Sequence, residues 1–167
     1  MRIGIVGSDD RAKAIGRLLL TGGHKLTLAD PGAKERARRA AAEIGAREEI
    51  PYQQAMHSDL LVLAVPNDEV DTAVKAVGSG ADAVIVDVVD AEHGTGDQSG
   101  AEQLARKLDS HRVVRALINL PETGANIPIC GDDTTSKGLV DRALHSCGCV
   151  TTDRGPLAKA VELEAPA

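Results

Sequence analysis

A glycine-containing loop near the amino terminus has residue types that bind the phosphates of a nucleotide. It follows a short β-branched run, Arg2–Val6, and precedes a helical pattern that begins near Arg11. Such loops follow the pattern G-x-G-x-x-G/A. The first glycine makes a tight turn, the second lets a pyrophosphate approach the backbone, and the third position packs helix on strand. Gly7 and Ala12 fit the first and third positions. The candidate binding residues of the loop are Gly7, Ser8, Asp9, Asp10, Arg11 and Ala12.

The second glycine of this pattern is replaced by Asp9, which changes the charge of the loop. An aspartate about 4 Å from a phosphate costs on the order of a few kcal/mol at an effective dielectric constant near 20. Asp10 adds a second negative charge, whereas Arg11 could compensate and the start of the helix still offers backbone donors. Two interpretations therefore stay open: the loop binds a dinucleotide, or it has lost that function.

A second candidate for cofactor binding is Asp30, at the end of the second predicted strand. An acid at this position hydrogen-bonds the ribose hydroxyls of adenosine and repels a 2′-phosphate, which favours NAD over NADP. Lys34 and Arg38 on the next helix could instead reach a phosphate. Asp30 is also a plausible turn residue before Pro31-Gly32. Its position in the fold favours the ribose interpretation.

Strands and helices alternate along the chain, as is typical of a parallel sheet. The predicted strands are Arg2–Val6, Lys25–Asp30, Ala46–Glu49, Leu60–Val65, Ala83–Val89, Arg112–Ile118, Ile127–Cys130 and Val150–Thr152. The predicted helices are Arg11–Leu20, Ala33–Ile44, Tyr52–Met56, Asp68–Val77, Ala101–Leu108 and Thr135–His145, with a helical tail from Leu157. This order predicts a Rossmann-like, doubly wound α/β fold, with a mostly parallel sheet, helices on both faces and a single domain over residues 1–167. Ligands of such folds bind at the carboxyl ends of the strands.

Composition and charge exclude several classes of protein for this chain. The 167 residues are 43% hydrophobic, which excludes disorder, and the net charge of −6 argues against a nucleic-acid partner. No apolar run approaches the roughly 20 residues that span a bilayer, and the start of the chain lacks a signal-peptide pattern. We therefore expect a cytoplasmic protein that binds no membrane. Because Phe and Trp are absent and Tyr52 is the one aromatic residue, a flat ligand must lie against aliphatic side chains.

The cysteines and histidines form no recognisable catalytic or metal-binding set. Cys130, Cys147 and Cys149 are too few and too unevenly spaced for a disulfide framework. The segment His145–Cys149 lacks an evident fourth ligand, so packing and turn roles are favoured over a metal site. Surface roles are predicted for His57, His93 and His111. We predict no catalytic side chain and no metal.

Three segments in the second half of the chain occur in an order that is typical of one family. Val113–Leu117 is followed by Leu120-Pro121, then by Ile127–Asp133 with the sequence IPICGDD, and then by Asp153–Leu157 with the sequence DRGPL. The family of deazaflavin-dependent NADP oxidoreductases has a closely similar order of V-V-x-A-L with I-P, V-P-V-C-G-D-D and D-x-G-P-L. The chain resembles that family over nearly its whole length. Its first half carries motifs, such as IGIVG, that many dinucleotide-binding dehydrogenases share.

The resemblance implies hydride exchange between a nicotinamide cofactor, NAD or NADP, and a reduced deazaflavin (factor 420). Such chemistry needs two rings held face to face about 3–3.5 Å apart rather than a catalytic side chain. By resemblance, Ala64, Val65 and Pro66 flank the nicotinamide side of the cleft. Leu120 and Pro121 would lie near the deazaflavin ring.

The chain departs from the family pattern where the cofactors would bind. Asp9 replaces a glycine, Asp30 replaces a phosphate-receiving pattern, and Ile118 stands where archaeal members carry a histidine. The first hypothesis is an oxidoreductase of this family. The alternative is a non-catalytic module that binds a nucleotide or a partner protein. A third hypothesis is a fragment-like relative of the hydroxyacid or imine reductases. We do not expect this chain to hold the separate helical domain of those families, so a partner chain would have to supply it.

The segment after Pro156 suggests where a second subunit could bind. Leu157, Ala160 and Val161 give a short terminal helix an apolar side. The hypothesis that follows is a homodimer in which this side is covered.

Overall fold

A computed structural model of the chain describes residues 1–46, 57–79, 81–89, 98–116 and 122–164. The strands are β1 (Arg2–Val6), β2 (Lys25–Ala29), β3 (Leu60–Leu63), β4 (Val84–Asp87), β5 (Val113–Arg115), β6 (Asn126–Gly131) and β7 (Val150–Asp153). The α-helices are α1 (Asp10–Thr21), α2 (Lys34–Ile44), α3 (Val70–Val77), α4 (Gly100–Leu108), α5 (Thr134–Ser146) and α6 (Ala160–Glu164). One turn of 3-10 helix precedes α3 and α6, at Asn67–Glu69 and Leu157–Lys159.

The strands form one sheet in the order β2-β1-β3-β4-β5-β6-β7. Strands β1 to β5 are mutually parallel, β6 runs antiparallel to β5, and β7 is parallel to β6. The reversal has a simple cause, because residues 116–125 between β5 and β6 are too few for the crossover that a parallel pair needs. Strand β2 pairs with one edge of β1, and β3, the next strand along the described chain, pairs with the other edge of β1. The switch point where dinucleotides bind is therefore at the carboxyl end of β1.

Helices cover both faces of the sheet, and the core is built from small aliphatic residues. One cluster packs α1, α2 and α5 on one face, and a second packs α3, α4 and α6 on the other. Small residues allow close packing: a Cβ at Gly16 of α1 would lie 2.5 Å from Cδ1 of Ile44 in α2. Strand β3, in the interior of the sheet, is buried on both faces, as its unbroken apolar sequence predicts.

The predicted doubly wound, mostly parallel α/β fold is confirmed. The strand predicted at Lys25–Asp30 is one residue too long. Two others extend further past their ends, because residues 64–65 and 88–89 stay buried after the last ladder pairs at Leu63 and Asp87. Hydrophobicity alone cannot mark where a ladder ends. The strand predicted at Ala46–Glu49, apart from its first residue, and the helix predicted at Tyr52–Met56 lie outside the described residues.

Candidate functional site

Gly7 makes the tight turn that brings the carboxyl ends of three strands together. Its φ is +130°, and a Cβ on it would lie 1.9 Å from the carbonyl oxygen of Ala64. Its N–H donates to Ala29 O at 2.8 Å, and the N–H of Ala64 donates to Val6 O at 2.8 Å. Gly7 therefore holds the ends of β1, β2 and β3 in contact, and glycine is the one residue that fits.

Asp9 is the N-cap of α1, a local role that the sequence pattern did not reveal. Its Oδ1 accepts a hydrogen bond of 2.8 Å from the N–H of Ala12, while the residue itself is exposed. A carboxylate is a favourable cap because the first amides of a helix lack partners and the helix dipole is positive there. The Asp9 carboxylate thus lies where a phosphate would meet the start of α1.

The other charged residues of the loop point in two directions. Arg11 donates from Nη1 to the carbonyl oxygen of Val88 at 2.7 Å, which spans the groove between α1 and the end of β4. Asp10 turns outward to Lys13, with 2.9 Å between Oδ1 and Nζ. The hydrogen bond to Lys13 lowers the pKa of Asp10. Of the two charges predicted to act on a phosphate, Arg11 lies in the groove and Asp10 points away.

Asp30 follows β2, and its side chain is only 2% exposed. Its Oδ2 accepts from the hydroxyl of Ser8, and its Oδ1 accepts from the N–H of Gly32 at 3.3 Å. The predicted turn role is therefore real. The carboxylate also stands beside the glycine loop, as its predicted cofactor role requires. The ribose role stays a prediction.

Arg36 was not singled out as a ligand-binding candidate from the sequence, yet it is the cation closest to Asp30 among the described contacts. Its Nη2 lies 3.3 Å from Asp30 Oδ1 and 3.2 Å from Glu69 Oε1, and its side chain is 57% exposed. Glu69 and Asp30 raise the pKa of Arg36. The signal in the sequence was its place among the basic residues of α2, which are Lys34, Arg36, Arg38 and Arg39, but the sequence argument considered Lys34 and Arg38 instead.

The residues predicted to flank the nicotinamide differ in accessibility. Ala64 and Val65 are buried, and Pro66 is exposed. The side chain of Pro66 can therefore contact a ligand, whereas Ala64 packs with its carbonyl group against Gly7. Leu120 and Pro121 lie outside the described residues.

A buried charge cluster lies at the carboxyl ends of β4 and β5. Arg115 Nη1 donates to Asp87 Oδ2 at 2.9 Å, and both residues are fully buried. Glu164 Oε1 lies 3.7 Å from Arg115 Nε, and Glu164 Oε2 accepts from the N–H of Gly100 at 2.9 Å. Asp87 Oδ1 accepts from the N–H of Val89. The cluster joins α6 to the start of α4 and fixes the chain after β4.

The three cysteines are free thiols in the core, which confirms the predicted packing role. His57 and His111 are exposed as predicted, and His93 lies outside the described residues. No cluster of three metal-ligating side chains occurs in the part of the chain that the structure describes. Within that part no helix is both long enough and apolar enough to cross a bilayer.

We expect the buried thiol of Cys130 to make the folded protein less stable at high pH. Burial raises the pKa of its thiol from 9.0 to about 11. Between pH 9 and 11 the unfolded chain loses this proton and the folded chain keeps it, so the free energy of unfolding falls as pH rises. Urea unfolding at pH 8.5 and 10.5 should therefore show a smaller drop in Cys130→Ala than in the wild type. Equal drops in the two proteins would contradict this cause.

The proposed dimer surface requires a correction. Leu157 and Ala160 are buried against the chain's own sheet and α4, and of the three apolar residues Val161 alone is exposed. The short helix is amphipathic because it covers this chain's core, so its apolar side is not available to a second subunit.

The fold and the glycine turn at its switch point define a Rossmann-type α/β protein. A family model for coenzyme F420-dependent NADP oxidoreductases matches residues 2–91, which include the glycine loop, Asp30 and Ala64 to Pro66. The chain belongs to the F420-dependent NADP oxidoreductase family, as its resemblance predicted, and hence to a family of NAD(P)-dependent oxidoreductases.

Solved structures share the fold at low sequence identity. A protein of Arthrobacter sp. FB24, solved as a candidate F420-dependent NADP reductase, is 21% identical with a TM-score of 0.79, covering 97% of this chain and 88% of that one. Protein SMa0349 of Sinorhizobium meliloti is 18% identical with a TM-score of 0.77, covering 95% and 86%. Pyrroline carboxylate reductase of Plasmodium falciparum, solved with NADP bound, is 16% identical with a TM-score of 0.68, covering 92% of this chain and 57% of that one. Among curated proteins, none matches the sequence.

Proposed function

We propose that this chain binds NAD or NADP at the carboxyl ends of β1 and β2 and transfers hydride between the nicotinamide and a deazaflavin or similar acceptor. The observation that carries the proposal is the buried Asp30 carboxylate beside the Gly7 turn. An acid at the end of the second strand is placed to accept hydrogen bonds from ribose hydroxyls. Family membership supports the nicotinamide cofactor, and the deazaflavin acceptor is supported by the description of the family.

Bound together, the two rings supply the redox chemistry: one hydride carries two electrons from the donor ring to the acceptor ring, so one is oxidised as the other is reduced. The work left to the protein is binding and orientation. Asp30 would orient the adenosine ribose, and Ser8 and Gly32 hold its carboxylate in place for that role. The exposed Pro66 would give the nicotinamide side of the cleft an apolar wall.

Asp30 and Arg36 together would decide between NAD and NADP. Asp30 repels a 2′-phosphate and the half-exposed Arg36 attracts one, but each now neutralises part of the other's charge. If Arg36 swings away from Asp30, two neutral donors, the hydroxyl of Ser8 and the N–H of Gly32, still hold the Asp30 carboxylate in place. The carboxylate then remains available to a ribose and continues to repel a 2′-phosphate. We therefore propose NAD as the preferred cofactor.

Calorimetric titration with NAD and with NADP tests this site. Asp30→Ala is expected to weaken NAD binding by about tenfold, the equivalent of one charged hydrogen bond, and to strengthen NADP binding because Arg36 is released. These opposite changes cannot both arise from partial unfolding. Asp59→Asn, which removes a carboxylate at the amino end of β3, is the control and should change neither affinity by more than about twofold. Unchanged NAD affinity in Asp30→Ala would contradict the ribose role.

One observation favours the non-catalytic alternative, namely the carboxylate of Asp9 at the start of α1. A folded protein that binds neither NAD nor NADP would support a module that recognises another nucleotide or a protein. A protein that binds a dinucleotide and oxidises its reduced form with a deazaflavin would exclude that alternative.

A further inference from the structure

The groove that a dinucleotide would cross contains two charged side chains of the protein itself. Asp9 lies at the start of α1 and accepts from the N–H of Ala12 at 2.8 Å. Arg11 reaches across from α1 to the carbonyl oxygen of Val88, beyond the end of β4. Both residues belong to the start of α1, but the Asp9 carboxylate stays at the helix start, whereas the Arg11 guanidinium lies beyond the end of β4.

The position of Asp9 resembles that of a bound phosphate. The unpaired amides and the positive end of the dipole make a helix start a site for one anion. Because Asp9 already supplies that anion, a pyrophosphate arriving at α1 meets a like charge and finds the Ala12 amide engaged. The exposure of Asp9 shows that its side chain has room to move out of the groove.

Arg11 would attract a pyrophosphate, whereas Asp9 would repel it. One acceptor of its hydrogen bonds, Val88 O, is a neutral carbonyl, and an arginine binds phosphate oxygens more strongly than a carbonyl because the bond is then between two charges. Exchange of Val88 O for a phosphate would bring a positive charge toward the anionic cofactor.

We infer that Asp9 is an internal competitor of the cofactor's pyrophosphate and that Arg11 is the counter-ion that moves from Val88 to the pyrophosphate when the cofactor binds. This inference rests on the proposed function, since it concerns the same dinucleotide site. It makes Asp9 and Arg11 the residues that set cofactor affinity, in opposite directions. The site then binds dinucleotide more weakly than one with glycine at position 9.

Four variants separate the charge of Asp9 from its capping role. Asp9→Asn removes the charge and keeps a good cap, because asparagine caps helices as well as aspartate does. Asp9→Gly removes both and restores the glycine of the loop pattern. Arg11→Ala removes the counter-ion. Glu43→Gln is the control, because Glu43 is another carboxylate joined to the first turn of α1, through Lys13 at 3.0 Å.

The measurement is the Kd for NAD by calorimetry, at low and high salt. Asp9→Asn and Asp9→Gly are expected to bind about tenfold more tightly than the wild type, Arg11→Ala about tenfold more weakly, and Glu43→Gln within about twofold. The gain in Asp9→Asn should shrink between roughly 0.05 M and 0.5 M salt, because screening weakens the repulsion.

Two outcomes would overturn the inference and leave the proposed function standing: a wild type that binds NAD with no gain in Asp9→Asn, or an equal gain in Glu43→Gln. If no variant, Asp9→Gly included, binds NAD or NADP while circular dichroism shows each to be folded, both the inference and the proposed function fail.

Discussion

Alanine in place of Gly7 is expected to lower the free energy of unfolding by at least about 3 kcal/mol, the range of strained backbone and severe steric overlap. The new Cβ would lie 1.9 Å from Ala64 O, a backbone atom in the core, at a φ of +130° that other residues rarely adopt. Relief would require the ends of β1 and β3 to separate, which would break the bond of Ala64 N–H to Val6 O. Urea unfolding measures the loss directly.

Gly45→Ala is the matched control for this variant. Gly45 also has a positive φ, +73°, at the end of α2, but a Cβ there would meet no atom within 4 Å. Its cost should be about 1–2 kcal/mol, that of a left-handed backbone without a clash. If the loss of unfolding free energy in Gly7→Ala is no larger than that in Gly45→Ala, the ends of β1 and β3 can relax. The close approach of Gly7 to Ala64 O would then contribute nothing to the cost of the substitution.

Arg115→Met is expected to cost about 3–5 kcal/mol, because it leaves the buried carboxylates of Asp87 and Glu164 without their cation. Glu164 would keep the N–H of Gly100 and Asp87 the N–H of Val89, but these neutral donors do not compensate a buried charge. The free energy of unfolding from urea titration is again the measurement.

Two further variants test whether charge burial is the cause. Lys107→Met breaks the exposed pair of Lys107 with Asp71 and should cost less than about 1 kcal/mol. Asp87→Asn combined with Arg115→Met should be more stable than Arg115→Met alone, because the amide removes the unpaired charge and still accepts from Val89. Equal losses in Arg115→Met and Lys107→Met would contradict a buried ion pair as the source of the effect.

Much of the fold could be predicted because its signals are local. The strand predicted at Arg2–Val6 is β1, and the helix predicted at Ala33–Ile44 differs from α2 by a single residue at its start. The sequence predicted a mostly parallel sheet but did not identify β5 and β6 as the antiparallel pair. The roles of Leu157 and Ala160 were wrong because a stripe of apolar residues shows that a helix is covered, but not by what.

The candidate site was harder to predict because its contacts join distant parts of the chain. The sequence identified Gly7, Asp9 and Asp30, since their types and spacing match a known loop pattern. It could not show that Asp9 caps α1, since that depends on where the helix begins, nor that Arg11 reaches Val88, 77 positions away.

The sequence by itself determined the alternation of strands and helices and the place of the acidic loop at the switch point, because hydrophobic periodicity and glycine geometry act over a few residues. Only the tertiary structure decided the partners of the charges. Arg36 joins Asp30 to Glu69, and Arg115 joins Asp87 to Glu164, because the parallel sheet brings the carboxyl ends of its strands to one edge. Which opposite charges meet there depends on strand order and register, and neither is encoded in the spacing of residues along the chain.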